Sequence, residues 1–98
     1  MANIQSINLG GKITGQHTMS SLSTAKPLAG VGNKVILQPE IQSVRVRFVE
    51  APTTTVGLLI TAGTIVELEL GPDQSIQDFQ VIEVMASATL NVIAISTK

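Results

Sequence analysis

Residues 43–50 read Ser43-Val44-Arg45-Val46-Arg47-Phe48-Val49-Glu50, and residues 64–70 read Thr64-Ile65-Val66-Glu67-Leu68-Glu69-Leu70. In the first stretch Val44, Val46 and Phe48 share one side while Arg45 and Arg47 take the other. In the second, Val66, Leu68 and Leu70 oppose Glu67 and Glu69. Apolar and charged residues alternating with a period of two are the pattern of a strand with one buried and one wet face. A helix would place its apolar residues three and four apart instead. These two segments decide the class of the fold.

The flanking sequence has the same texture. Val35-Ile36-Leu37 is a short apolar run closed by Pro39. Val56 to Thr61 is apolar enough to be buried on both faces. Phe79 to Met85 and Leu90 to Ser96 read as a hairpin across Ala86-Ser87-Ala88. Pro52 with Thr53 to Thr55, Ala62-Gly63 and Gly71-Pro72-Asp73-Gln74 supply the turns, where Pro presets φ and Asp bonds its neighbouring backbone. Val and Ile together contribute 21 residues and Thr another 10, and β-branched side chains suit a pleated surface better than a helix. The expected fold is therefore all-β: a small antiparallel β-sandwich or barrel, jelly-roll-like, over residues 34–98.

Residues 1–33 differ. They are rich in Gly, Ser, Thr, Asn and Gln, with Gly10-Gly11, Gly15, Ser20-Ser21, Pro27, Gly30 and Gly32 as breaks. Such spacing excludes a long helix and reads as an extended N-terminal arm. Ile4 to Leu9 is a candidate edge strand. Ile4, Ile7, Leu9, Ile13, Met19 and Leu22 are the apolar residues by which such an arm would grip a partner. Deleting 1–33 is expected to leave a folded β domain that binds its partner more weakly.

Composition excludes several classes of function. The chain has 98 residues, 13% of them charged, a formal net charge of −1, a single His and no Cys, Trp or Tyr. Disulfides and thiolate metal sites need cysteine. Nucleic-acid binding needs a basic field and stacking platforms. Sugar recognition commonly uses Trp or Tyr, and the two aromatics here, Phe48 and Phe79, both fall on apolar sides of strand patterns and read as core. The run from Val56 to Val66 is short of the ~20 residues that span a bilayer, and no secretory leader is recognisable at Met1 to Gln5. A protein that works without nucleic acid or membrane is expected. The charge content lies below the roughly 25–35% of a free surface, which suggests that part of the surface meets another protein.

Catalytic and cofactor patterns fail on spacing. His17 lies between Gln16 and Thr18, with Ser20 and Ser21 nearby but no nucleophile turn. Gly10-Gly11-Lys12-Ile13-Thr14 lacks the first Gly and the Ser/Thr after Lys of a phosphate loop, and Gly30-Val31-Gly32 follows no strand and opens no helix. Neither an enzyme nor a bound cofactor or metal is expected. Glu67 and Glu69 share a strand face, as do Arg45 and Arg47. If the two strands are neighbours, these four form a cross-strand ladder, each opposite-charge pair contributing roughly 0.2–1 kcal/mol. The same four are the charged candidates for an interface.

From Val44 to the end, the arrangement resembles small virion structural proteins of tailed bacteriophages. The likeness lies in the strand Val44-Arg45-Val46-Arg47-Phe48 and the Gly turn into an alternating strand over Thr61 to Leu68. It continues in the segment Ile76-Gln77-Asp78-Phe79-Gln80-Val81-Ile82 after an Asp turn, and in the closing strand Leu90 to Ile95. The resemblance implies a capsid decoration, or cement, protein that bridges major capsid subunits. It would be assembled in the host cytoplasm, located in the virion, and present as a homo-oligomer, often a trimer. A tail, neck, baseplate or fibre-anchoring protein is the alternative within the virion. A β-sandwich module binding a glycan or small ligand is the alternative outside it.

Overall fold

The computed structural model describes residues 11–97. Among these residues, eight strands make two antiparallel sheets. The strands are β1 (Lys12–Met19), β2 (Lys26–Pro27), β3 (Lys34–Glu40), β4 (Val44–Phe48), β5 (Leu58–Ile60), β6 (Val66–Glu69), β7 (Phe79–Glu83) and β8 (Thr89–Ser96). One sheet has the order β1-β8-β3-β6 and the other β2-β7-β4-β5. First pairs with eighth, second with seventh, third with sixth and fourth with fifth, and the β3–β8 and β4–β7 pairings close the two sheets. This is one long antiparallel hairpin folded over on itself, the topology of a jelly roll. The expected all-β sandwich is thus present.

The core between the sheets is aliphatic. Val35 and Leu37 from β3, Val44 and Val46 from β4, Val81 from β7 and Leu90, Val92 and Ala94 from β8 meet there. Burying each large side chain contributes about 1.5–3 kcal/mol. β3 lies inside its sheet, and Ile36, on the face away from this cluster, is buried too. That explains the unbroken Val35-Ile36-Leu37 run. Pro39 does not end the strand. β6 pairs with β3 only as far as Leu37, so no ladder bond is lost at Pro39, whose carbonyl accepts from the Gly63 N–H at 2.7 Å.

Several expectations change at the level of connectivity. The described part of residues 1–33 is not an arm. β1 pairs along β8, β2 pairs with β7, and Leu22 and Leu28 are fully buried core residues. The sandwich therefore begins well before residue 34. Ile4, Ile7, Leu9 and the strand expected at 4–9 lie outside the described residues. β7 and β8 are not a hairpin, because they belong to opposite sheets. Every connection but β4–β5 crosses between the sheets. β5 is an edge strand with Leu58 and Leu59 exposed, not a strand buried on both faces. Phe79 packs partly against the core, but Phe48 sits at the mouth of the sandwich, edge-on to Phe79 at 5.2 Å between centroids.

Candidate functional site

The charged candidates are engaged within the chain and do not form one site. Arg45 and Arg47 point outward from β4, and Glu67 and Glu69 lie on β6 of the other sheet, so the expected ladder does not exist. Arg45 donates from Nε to the Thr54 carbonyl at 3.0 Å and from Nη1 to the Gly57 carbonyl at 2.8 Å. It pins the loop between β4 and β5. Arg47 pairs with Glu50 at 3.2 Å. Glu67 Oε2 lies 3.3 Å from Nζ of the buried Lys34, and Glu69 is opposite Lys34 in register. Of the apolar anchors, Leu22 is core, Met19 packs against the core and accepts the Ala29 N–H on its sulfur, and Ile13 is exposed on β1.

The weak motifs dissolve into strands. Lys12 opens β1 opposite Ser96, and Gly32 leads through Asn33 into β3. His17 is exposed on β1 opposite Val92. Among the described residues no three His, Asp or Glu side chains gather as a metal site.

What the fold does assemble is an end without charge. Four connections meet at one end of the sandwich: residues 20–25, 41–43, 61–65 and 84–88. None of these residues is charged. Backbone groups lace them together. Val84 N–H donates to the Ser43 carbonyl at 3.0 Å, and Glu83 N–H to that of Leu22 at 2.9 Å. Ala62 N–H donates to Ser43 Oγ at 3.0 Å. With Leu22 buried beneath, this end is a tied platform and not a set of loose loops. Its two most exposed large apolar side chains are Ile41, at 70%, and Met85, at 63%.

Ile41 is held there against its own conformational preference. Its φ is +72°, and the Gln42 N–H donates to the Glu40 carbonyl at 2.8 Å, closing a γ-turn around it. The positive-φ γ-turn is rare and strained, and a β-branched residue is among the worst suited to it. Backbone strain of this kind costs of order 1–3 kcal/mol, and it clusters at functional sites. Within the chain the exposed Ile41 side chain recovers none of that cost by burial.

The opposite end is built differently. Residues 28–33, 49–57 and 70–78 carry Glu50, Asp73 and Asp78 and no cation. An open cleft of about 400 Å³ lies there, lined in part by Thr14, Asn33, Asp73, Gln74 and Ser96.

Ile41 and Met85 are absent from the sequence-derived candidates, because each looks like an ordinary apolar residue beside a strand. The available signal is negative: Glu40-Ile41-Gln42-Ser43 must turn the chain, yet it holds no Gly, Asn or Asp at the turn. Comparison with family models, with curated proteins and with solved structures gave no match to this chain.

Proposed function

We propose that this protein is a non-enzymatic structural component of a bacteriophage virion, a capsid decoration protein that docks by its uncharged end and bridges major capsid subunits. The observation that carries the docking is the platform itself: four laced, charge-free connections presenting Ile41 and Met85. The connections themselves hold no ion to desolvate, the nearest charges being Lys26, Glu40 and Glu83 on the adjoining strand ends, and burying the two side chains adds about 1.5–3 kcal/mol each. A rigid platform also loses little entropy on binding. The assignment of the partner to a capsid rests on the resemblance of residues 44–98 to small virion proteins. Jelly rolls are also frequent in viral capsid domains, which is an analogy of fold alone.

The mechanism is mechanical. One copy covering a junction buries surface on two or more subunits, so separating them under internal pressure must first expose that surface. The test adds the purified protein to particles lacking it and counts bound copies by imaging. Occupancy near the number of threefold and quasi-threefold junctions is expected, and Ile41→Lys with Met85→Lys should abolish it. Six or twelve copies per particle would move the protein to the tail, neck or baseplate.

A glycan- or ligand-binding module is favoured by one observation, the open cleft at the acidic end, since lectin domains also use this topology. A glycan array and a ligand thermal-shift screen that both stay blank would end that reading.

A further inference from the structure

Each sheet has two edges, and among the described residues three of the four edge strands are guarded. An edge offers unpaired N–H and C=O groups to any extended chain, and proteins blunt it with charge, proline or a bulge. β1 carries Lys12 and a register irregularity between Ile13 and Gly15. β2 is Lys26-Pro27. β6 carries Glu67 and Glu69. β5, Leu58-Leu59-Ile60, carries no charge, proline or bulge, and only its three-residue length limits the edge it offers. Among the described residues it pairs on one side only, with β4. Leu58 is 54% exposed and Leu59 47%, and Val56, Phe48 and Val49, at the ends of the adjoining loop, are exposed apolar residues too. Residues 51–66 include no charge at all.

We propose that β5 is a self-association edge: two copies of this chain pair β5 to β5, antiparallel about a two-fold axis near Leu59, joining two four-stranded sheets into one. Electrostatics selects a second copy as the occupant. A two-fold contact sets each residue against its own counterpart or a near neighbour. Any charge on the edge would meet its like, and like charges directly opposite are destabilising. The three guarded edges would pay that penalty or present a proline, while β5 would not. The nearest cation, Arg45, is turned into the chain and bound by the Thr54 and Gly57 carbonyls. Its grip also holds the β4–β5 loop in place beside the strand. This pairing predicts a dimer and not the trimer that the resemblance implies, and it is independent of what the uncharged end docks to.

The experiment is sedimentation equilibrium of the full chain across a concentration series, with two variants. The wild type is expected to sediment at twice the monomer mass at tens of micromolar. Leu59→Lys is expected to be monomeric there, with an unchanged circular dichroism spectrum. Leu59→Cys introduces the first thiol into a chain with no cysteine, and mild oxidation should convert most of it to a covalent dimer. If Leu59→Lys fails to fold, the thiol cross-link decides. A monomeric or trimeric wild type, an unchanged dimer in a folded Leu59→Lys, or a thiol that stays reduced in the Leu59→Cys dimer would each overturn the β5 pairing.

Discussion

The two ends of the sandwich are tied with equal care and made of opposite materials. At the uncharged end, four connections are held by backbone bonds, by Ser43 and by the buried Leu22. At the acidic end, the side chain of Asn33 takes the central place. Its Nδ2 donates to the Leu70 carbonyl at 3.0 Å and to Thr97 Oγ1 at 2.8 Å, and its Oδ1 accepts from the Thr97 N–H at 2.9 Å. Gly32 beside it has φ +136°, and a Cβ there would stand 2.2 Å from the Ile95 carbonyl oxygen. The acidic end is thus specified by residues that only one side chain satisfies, whereas the uncharged end leaves its largest exposed residues unconstrained by packing. Each end carries one strained γ-turn on an exposed β-branched residue, Ile41 at one and Val49 (φ +70°, with the Glu50 N–H on the Phe48 carbonyl at 2.8 Å) at the other, so what separates the ends is charge and not strain.

The comparison breaks most readily at Leu22. Leu22→Ala should lower unfolding stability by about 2–5 kcal/mol, the range for a buried leucine. It should also speed amide exchange of Glu83, whose N–H bonds the Leu22 carbonyl. Urea unfolding with hydrogen exchange reads both. A loss under 1 kcal/mol would mean that residues 20–25 are not tied to the core, and the platform would revert to part of an arm.

Asn33→Ala tests the other end. It leaves the Leu70 carbonyl and the Thr97 N–H without their partner, at about 1–3 kcal/mol for the buried groups together. Particle binding should be unaffected in the folded fraction. Equal loss of particle binding would show that the ends are not functionally distinct.

Much of this architecture was legible in local patterns, and the remainder was not, for a physical reason. Alternation along Val44 to Phe48 and Val66 to Glu69 reports which face of a strand is wet, and both strands obey it. It does not report which sheet the strand joins. A ladder of Arg45 with Glu67 therefore follows only if the two strands are neighbours, and crossovers put them in different sheets. Leu22 and Leu28 were read as an arm's anchors or passed over, because lone apolar residues among Ser, Gly and Pro make no period. β2, at two residues, is too short to show one. The Val56 to Thr61 run reads as doubly buried because it is continuously apolar. Its exposure follows from its place as the last strand of a sheet, which only the full pairing order determines. Ile41 was invisible because backbone strain has no compositional mark.

The smallest expected effect on stability discriminates best between the ends. Ile41→Gly removes a β-branched residue from φ +72°, relieving about 1–2 kcal/mol of left-handed strain. Against this, glycine costs about 0.5–1 kcal/mol through the entropy of the unfolded chain. The net change should lie between zero and about 1.5 kcal/mol of added stability. Docking, in contrast, loses the most exposed apolar side chain on the platform, so particle occupancy should fall while the thermal midpoint holds or rises. Stability and binding then move in opposite directions from one substitution. A residue retained only for the fold cannot do that, since its removal would lower both. If Ile41→Gly destabilises the protein by more than 1 kcal/mol, the side chain serves the fold after all. Docking at the uncharged end would then have to rest on Met85 and the absence of charge.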